Sequence, residues 1–313
     1  MKVDSIVVYQ EASVPCFCMR KEQIARLRQS FPAARVTWCR SERACLRALP
    51  QAQIAVTWAF RQAWFARAPR LRVVLSSAAG RDLSPLDPPP GVKVRYGTFH
   101  GPLMAETVLG MMLAFERGLF TAYAHQLRGD LWPRSALYGT VRLLRGSHAV
   151  IVGFGHIGKA IGRQLKPFGV RVTGLRRTPS ARRPPWFGRD DRQLAADQLD
   201  AVLPEADHLI LVLPSDTGTD RLIDAARLAR LPRHAVLYNV GRGNCIDEAA
   251  LARALQTGAL RGACLDVFAR EPLVPDSPLA ADLPGLVRMP HASAFADEYM
   301  DRFMDEVISW LSQ

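Results

Sequence analysis

The chain has 313 residues, with 41 Lys and Arg against 29 Asp and Glu, which gives a formal net charge of +12. Its 49% hydrophobic and 22% charged residues are close to the average of globular proteins and exclude a largely disordered chain. No apolar stretch reaches the roughly 18 residues that a membrane-spanning helix needs. At about 100–200 residues per domain, the length predicts two domains.

The positive charge comes almost entirely from arginine, because only five of the 41 basic residues are Lys. A nucleic-acid-binding protein is expected to cluster its basic residues or to carry a known module. Here the densest runs, at 177–183 and 227–233, are short and interrupted. We therefore interpret most arginines as solvated surface residues and predict no nucleic-acid partner, with a basic DNA-binding protein as the alternative.

The amino-terminal segment predicts a first strand rather than a signal peptide, because Asp4 precedes only a short apolar run. The six cysteines are interpreted as free thiols of a cytoplasmic protein, since a chain of this length does not need a disulfide scaffold. Cys16 and Cys18 resemble half of a metal site, but no matching pair completes it, so we predict no metal.

Short apolar runs alternate with helix-like stretches, which indicates an α/β fold with parallel strands. In the first hundred residues the strand candidates are 5–9, 34–38, 54–58, 71–76 and 92–96, with helix-like segments at 20–30 and 41–49. Residues 101–128 then predict one long helix that begins with Pro102.

A second series of strands and helices begins near Arg145. Its six strand candidates are 148–153, 170–175, 208–214, 235–241, 262–268 and 286–290, and a last helix is predicted at about 294–312. Six strands with intervening helices form the order of a complete dinucleotide-binding domain.

A glycine-rich hexamer, Gly153-Phe154-Gly155-His156-Ile157-Gly158, follows the first of these strands and opens a helix. That context is the one in which G-x-G-x-x-G binds a dinucleotide. The glycines permit a tight turn, a close approach to the pyrophosphate and close packing of helix on strand, while the helix N-terminus attracts the phosphates.

The end of the next strand distinguishes the two common cofactors. NAD-binding proteins place an acid there, which accepts a hydrogen bond from the ribose 2′-OH. In this chain Arg176, Arg177 and Thr178 occupy the position, and no nearby residue of that segment is a carboxylate. Because Arg forks bind phosphate oxygens, we predict NADP(H) in preference to NAD(H). The alternative is that both arginines simply face solvent.

Three later strands each end just before a residue of catalytic type: Arg242, Glu271 and His291. Sites in open α/β sheets lie beyond the carboxyl ends of the strands, so these side chains are expected to converge. Together they suggest an arginine that binds an anion, a histidine that exchanges a proton and a carboxylate that favours the protonated imidazole.

With these residues, roughly residues 100–295 resemble the D-isomer-specific 2-hydroxyacid dehydrogenase family. The resemblance is carried by VGFGHIGKAIG, LPSDTGTDRLI, LPRHAVLYNVGRGNCIDEAALARAL, TGALRGACLDVFAREPLVPDSPL and MPHASA. It implies two Rossmann-like lobes: a flavodoxin-like substrate-binding domain of residues 1–100 plus 291–313, and a doubly wound dinucleotide-binding domain of residues 101–290. It also implies a homodimer to which the long helix contributes.

The family's roles carry over onto matching positions. Arg242 would hold the substrate carboxylate and keto oxygen, His291 would donate a proton to that oxygen, and Glu271 would pair with His291. The resemblance further implies Leu213, Pro214, Val240 and Asp266 as cofactor contacts, Asp266 being the partner of the nicotinamide carboxamide. Backbone around Ala79 and Gly80 would complete the carboxylate site.

Some positions depart from the family pattern. Arg81 stands where an apolar or small residue is usual, and Ser215-Asp216 replaces the usual Thr-bearing loop. Trp58 either presents its ring to a small substrate or is a core aromatic. Arg81 is a candidate substrate contact, because an added guanidinium would admit a second acid group; it is alternatively a solvent-facing residue.

The pattern resembles most the NADPH-dependent glyoxylate/hydroxypyruvate reductases. We therefore expect NADPH-dependent reduction of a small 2-oxo acid, glyoxylate or hydroxypyruvate, to the D-2-hydroxy acid. The alternatives are a reductase of a bulkier or doubly acidic 2-oxo acid, and a non-catalytic regulator that senses a dinucleotide.

Overall fold

The computed structural model describes residues 3–80, 85–180 and 182–313. The strands are β1 Ser5–Tyr9, β2 Arg35–Trp38, β3 Ile54–Thr57, β4 Val73–Ser76, β5 Lys93–Tyr96, β6 His148–Val152, β7 Arg171–Arg176, β8 Arg192–Ala195, β9 His208–Leu211, β10 Val236–Asn239, β11 Gly262–Leu265 and β12 Leu286–Arg288. The α-helices are α1 Lys21–Ser30, α2 Glu42–Ala48, α3 His100–Glu116, α4 Leu119–Leu127, α5 Arg134–Leu137, α6 His156–Leu165, α7 Leu199–Val202, α8 Ala225–Leu228, α9 Glu248–Gln256 and α10 Tyr299–Leu311. The chain forms two compact units, one of residues 1–100 with 294–313 and one of residues 101–293.

In the first unit, the described residues form a five-stranded parallel sheet in the order β2-β1-β3-β4-β5. Strand β3 is buried along its whole length and β1 along nearly all of it, as parallel strands covered on both faces require. This order is the flavodoxin-like form of the doubly wound sheet, so the fold class predicted for this unit is confirmed.

Helix α10 belongs to the first unit, where it buries an apolar face and also makes polar contacts. The Tyr299 hydroxyl donates to the Ser77 carbonyl oxygen at 3.0 Å, and Gln23 Nε2 of α1 donates to Asp301 Oδ1 at 2.9 Å. These contacts add the last helix of the chain to a sheet that is built from its first hundred residues.

The second unit contains a seven-stranded parallel sheet, counted over the described residues, in the order β12-β11-β10-β9-β6-β7-β8. The strand order reverses between β6 and β9, which is the switch point where doubly wound sheets bind ligands. The prediction of six strands was wrong by one, because β8 is a short edge strand of four half-buried residues that pairs with β7. Such a segment lacks the apolar run that identifies a buried strand.

The single long helix predicted for residues 101–128 was also wrong, because the chain forms α3 and α4 with a break at Gly118. This glycine has φ of +69°, and a Cβ there would lie 2.7 Å from Leu137 Cδ2. A left-handed glycine ends a helix at low cost, whereas a side chain at this position would be strained and crowded. None of the helices in the described part of the chain combines the length and apolar character needed to cross a membrane.

Candidate active site

The glycine loop lies between β6 and α6 and is tightly constrained on two sides. Gly153 has φ of +97°, and a Cβ there would lie 2.2 Å from the Val212 carbonyl oxygen, just beyond β9. A Cβ on Gly158 would lie 2.4 Å from the Gly153 carbonyl oxygen. The end of β6 therefore packs directly against both the exit of β9 and the first turn of α6.

The middle glycine of the loop faces open space. Among the described residues, a Cβ on Gly155 would meet no heavy atom within 4 Å, and α6 begins immediately afterwards with His156 and Ile157. A helix N-terminus beside uncovered backbone is suited to bind phosphate oxygens. The loop therefore fits the pyrophosphate of a dinucleotide.

Two arginines stand at the end of β7, as the sequence predicts. Arg176 is half-buried, and Arg177 and Thr178 are exposed. Arg177 Nη2 lies 3.3 Å from Asp216 Oδ2, in the loop after β9 and 39 residues away along the chain. The segment itself carries no carboxylate, but the fold brings one to it from the loop after β9. Sequence reasoning noted Asp216 as unusual but could not show that the loops after β7 and β9 meet.

The exits of β9 and β10 pack against each other beside this loop. A Cβ on Gly241 would lie 2.5 Å from the Leu213 backbone nitrogen. Leu213 is half-buried, Pro214 is exposed, and the Val240 side chain is buried with 2% of its surface exposed. Val240 can therefore offer a ligand its backbone rather than its side chain.

The turn that carries Arg242 is held by side chains that sequence reasoning missed. Asn239 Nδ2 donates to the Arg242 carbonyl oxygen at 3.0 Å, and Asn239 Oδ1 accepts from the Gly241 N–H at 3.1 Å. The Cys245 Sγ donates to the same Arg242 carbonyl at 2.9 Å, and burial raises the pKa of this thiol to about 12. The half-buried Arg242 thus projects from a fixed backbone, with its Nη1 2.9 Å from the Gly241 carbonyl oxygen.

Asp266 fastens the turn that carries His291. Its side chain is fully buried, its Oδ1 accepts from the Ala292 N–H at 2.7 Å, and its Oδ2 accepts from the Ser293 N–H at 2.9 Å. The His291 N–H donates to the Asp266 carbonyl oxygen at 2.8 Å. His291 has φ of +53°, a strained conformation that persists only where surrounding contacts impose it. These bonds also place residues 291–293 in the second unit rather than with the first.

The His291 imidazole and the Glu271 carboxylate form a hydrogen-bonded pair. His291 Nδ1 lies 2.7 Å from Glu271 Oε2, with 45% of the histidine and 35% of the glutamate side chain exposed. Glu271 Oε1 also accepts from the Phe268 N–H at 3.0 Å, which orients the carboxylate. Because Nδ1 faces Glu271, Nε2 is the ring nitrogen left to face a ligand.

The pair borders a mostly apolar cavity of about 570 Å³, lined also by Phe268, Leu273 and Met289. The turn of Arg242 adjoins the same region, because a Cβ on Gly243 would overlap the Phe268 backbone. The structure thus brings the residues that follow β10, β11 and β12 together at one edge of the sheet. In the described part of the chain, no group of three or more His, Cys, Asp or Glu residues is placed to hold a metal ion.

The remaining predicted substrate residues belong to the first unit. Trp58 is half-buried, its ring stacks on Phe17 with centroids 4.9 Å apart, and its carbonyl oxygen accepts from the Ser76 hydroxyl at 2.7 Å. Ala79 is exposed and Gly80 is half-buried. Arg81 lies outside the described residues. The substrate roles of these four residues stay predictions.

Comparison with known proteins supports a common origin for this fold and site. Residues 109–293 match the family model described as D-isomer specific 2-hydroxyacid dehydrogenase, NAD binding domain. The chain is 34% identical over 237 residues to glyoxylate/hydroxypyruvate reductase B of Pectobacterium carotovorum, covering 74% of this chain and 72% of that protein. It is also 34% identical over 213 residues to (S)-sulfolactate dehydrogenase of Chromohalobacter salexigens, covering 67% of this chain but only 63% of that protein. A solved structure of an NADPH-dependent glyoxylate/hydroxypyruvate reductase from Sinorhizobium meliloti, in complex with NADP and sulfate, superposes with a TM-score of 0.77 at 28% identity, covering 99% of this chain and 95% of that one.

Proposed function

The chain belongs to the D-isomer specific 2-hydroxyacid dehydrogenase family, and on this premise we propose that it reduces a small 2-oxo acid to the D-2-hydroxy acid with NADPH. The observation that carries the proposal is the Glu271–His291 pair, 2.7 Å apart at the edge of the sheet where Arg242 also emerges. Glyoxylate, whose product glycolate is achiral, and hydroxypyruvate, whose product is D-glycerate, are the proposed substrates.

With the pyrophosphate held at the glycine loop between β6 and α6, NADPH would supply the hydride that reduces the carbonyl carbon of the substrate. His291 donates a proton from Nε2 to the keto oxygen, which becomes the new hydroxyl. The Glu271 carboxylate stabilises the protonated ring through Nδ1 and keeps it in one orientation. The strained backbone of His291, held by Asp266, fixes the direction in which Nε2 points.

Arg242 is proposed to bind the carboxylate of the 2-oxo acid and to polarise its keto oxygen. A guanidinium matches a planar carboxylate with two parallel hydrogen bonds, and its positive charge stabilises negative charge that develops on the keto oxygen. Asn239 and Cys245 hold the backbone of Arg242, so little ordering is needed when substrate binds.

The proposal of NADP(H) rests on Arg176, Arg177 and Thr178 at the end of β7, a segment that carries no acid of its own, although Asp216 of the loop after β9 reaches Arg177. Two guanidinium groups suit a 2′-phosphate. The Sinorhizobium meliloti reductase, which has this fold, was solved with NADP. An Arg176→Ala, Arg177→Ala double variant is expected to raise the KM for NADPH far more than the KM for NADH. A clear preference of the unaltered chain for NADH would contradict the proposal.

A doubly acidic substrate is the second candidate, and one relative favours it. (S)-Sulfolactate dehydrogenase acts on an acid that carries a sulfonate as well as a carboxylate, and it is 34% identical to this chain over 213 residues. The corresponding 2-oxo substrate for a test is 3-sulfopyruvate.

One panel tests both candidates. The purified protein is mixed with NADPH and, in turn, with glyoxylate, hydroxypyruvate, pyruvate and 3-sulfopyruvate, and NADPH oxidation is followed by absorbance. The highest kcat/KM is expected with glyoxylate or hydroxypyruvate. A highest value with 3-sulfopyruvate would favour the second candidate. Dinucleotide binding without turnover of any 2-oxo acid would favour a regulator instead.

We also propose that the chain forms a homodimer through residues 119–143. In α4, Leu119, Tyr123 and Leu127 recur at four-residue spacing and are 58%, 62% and 72% exposed. Further along, Trp132 and Tyr138 are 77% and 90% exposed. So many exposed large apolar side chains within 25 residues are typical of an interface.

Polar contacts attach the carboxyl-terminal part of this segment to the rest of the second unit. The buried Glu116 lies 2.7 Å from Arg261 Nη1, and Arg261 Nη2 donates to the Thr140 carbonyl oxygen at 2.8 Å. Light scattering on a size-exclusion column is expected to give twice the 34.7 kDa of one chain. A Tyr123→Glu, Leu127→Glu double variant is expected to give a monomer. A monomeric unaltered chain would contradict the dimer.

A further inference from the structure

The loop after β9 brings a fixed carboxylate to the arginines at the end of β7. Strand order places β9, β6 and β7 side by side. The chain leaves β9 through Val212, against Gly153 of the glycine loop, and four residues later Asp216 reaches Arg177. The carboxylate thus stands beside the residues to which the proposed function assigns the 2′-phosphate.

Local hydrogen bonds hold this carboxylate in place. The Asp216 N–H donates to Thr219 Oγ1 at 3.1 Å, and Thr219 is buried with 7% of its surface exposed. Asp216 Oδ1 accepts from the Gly218 N–H at 2.9 Å, which leaves Oδ2 directed at Arg177 Nη2. The more exposed partner is Arg177, whose side chain is 87% exposed.

A carboxylate at this position acts against a phosphate in two ways. It occupies part of the hydrogen-bonding capacity of Arg177, and it repels a phosphate group that carries a charge of about −1.5 to −2 near neutral pH. It does not disfavour a ribose with a free 2′-OH, because that hydroxyl can donate to a carboxylate. The carboxylate therefore weakens the binding of the cofactor with a 2′-phosphate relative to the cofactor without one.

We propose that Asp216 is a specificity-determining residue that limits the preference for NADPH over NADH by pairing with Arg177. This inference rests on the proposed use of the β7 end as the cofactor's ribose site. The competing interpretation is that Asp216 orients Arg177 toward the phosphate, in which case it would strengthen the binding of NADPH. The two interpretations predict opposite signs.

Calorimetric titration with two fragments of the cofactor's adenosine half distinguishes the two interpretations of Asp216 without relying on turnover. The fragments are 2′,5′-ADP, which carries the 2′-phosphate, and 5′-AMP, which does not. In Asp216→Asn the amide oxygen still accepts from Gly218, so the loop is expected to keep its conformation. The affinity for 2′,5′-ADP is expected to rise about five- to tenfold at low salt, as removal of one charge near a dianion implies. The affinity for 5′-AMP is expected to stay the same or to fall.

Asp220→Asn is the matched control, because Asp220 lies in the same loop and is exposed but contacts Asn244 rather than Arg177. It removes the same charge and is expected to change the affinity for 2′,5′-ADP less than twofold. In an Arg177→Ala background, the increase in affinity for 2′,5′-ADP that Asp216→Asn causes is expected to be smaller, because the pair between Asp216 and Arg177 is already absent.

An unchanged affinity of Asp216→Asn for 2′,5′-ADP would overturn the inference, and a weaker affinity would overturn it in favour of the orienting role. An undiminished gain in the Arg177→Ala background would overturn the pairing. Other observations would contradict the proposed function: the absence of 2-oxo acid reduction, or a preference of the unaltered chain for NADH. Asp216→Asn can still raise the affinity for 2′,5′-ADP in either case.

Discussion

Glu271 Oε2 lies 2.7 Å from His291 Nδ1, and the same carboxylate uses its other oxygen to accept the Phe268 N–H. One acid thus connects the exit of β11 to the turn after β12. The geometry leaves His291 a single ring nitrogen for a substrate, which is the arrangement that a positioned proton donor needs.

His291→Ala is expected to lower kcat by about 10²- to 10⁴-fold, the range typical of a lost general acid. The KM for NADPH should change little, because His291 lies after β12 rather than in the glycine loop after β6. Steady-state kinetics with glyoxylate and fluorescence titration with NADPH measure both effects. Unchanged turnover would contradict the assigned role.

Glu271→Gln keeps an acceptor for the Phe268 N–H but removes the negative charge. Loss of that charge weakens the hydrogen bond to His291 Nδ1 that orients the ring, so kcat for 2-oxo acid reduction should fall about tenfold. Steady-state kinetics measure the loss, and Glu248→Gln, which changes an acid bonded to Ala269 and Ser277, is a matched control. An unchanged kcat in Glu271→Gln would argue against a positioning role of this carboxylate.

Asp266→Ala is expected to destabilise the second unit, because it leaves the Ala292 and Ser293 N–H groups without their acceptor. Each unsatisfied buried group costs about 1–3 kcal/mol. Turnover should fall as well, since His291 loses the bonds that impose its backbone conformation. Urea unfolding and kcat are the measurements, and full retention of stability would contradict this role. A parallel NADPH titration tests the contact with the nicotinamide carboxamide that the family resemblance implies.

Two glycines of one loop are expected to respond differently to alanine. Gly155→Ala adds a Cβ that meets no heavy atom of the described residues within 4 Å, so the stability of the protein should be unchanged. Its affinity for NADPH should fall at least tenfold, because the methyl group occupies the space offered to the pyrophosphate. Gly153→Ala places a Cβ 2.2 Å from the Val212 carbonyl oxygen and should lower the melting temperature. If Gly155→Ala bound NADPH normally, the assignment of this loop would be wrong.

Two buried histidines should make the protein less stable in acid. Burial lowers the pKa of His208 and of His100 to about 4, against about 6.5 in an unfolded chain. Their neutral forms stabilise the fold fully above about pH 6.5, and that stability is lost as the pH falls toward 4, because the unfolded state then binds more protons. The free energy of unfolding should fall by up to about 1.4 kcal/mol per pH unit for each group.

Urea unfolding between pH 7 and pH 4.5 measures this dependence. His208→Gln and His100→Gln, each without a group that titrates in this range, are expected to show a shallower decline than the unaltered chain. An equally steep decline in both variants would assign the acid sensitivity to other groups.

The positions of eleven of the twelve described strands, the glycine loop and the three residues that follow β10, β11 and β12 were determined by the sequence alone. These features are local: apolar runs mark buried parallel strands, and G-x-G-x-x-G between a strand and a helix has few alternative interpretations. Local pattern also explains the errors, since β8 is too short and too polar to be recognised. The break at Gly118 depends on a left-handed backbone conformation and on contact with Leu137.

Tertiary structure decided how the functional groups are supported. That Asp266 holds residues 292 and 293, that Asn239 and Cys245 hold Arg242, and that Asp216 pairs with Arg177 could not be read from the sequence. The contacts of Asp266 and Asp216 join loops that follow different strands, and strand order determines which loops meet. The contacts of Asn239 and Cys245 join the two ends of one turn. Most of the net charge of +12 comes from arginine, but composition cannot show which groups contact each arginine. Only the fold shows that Asn239 and Cys245 hold the backbone of Arg242 and that Arg177 pairs with Asp216.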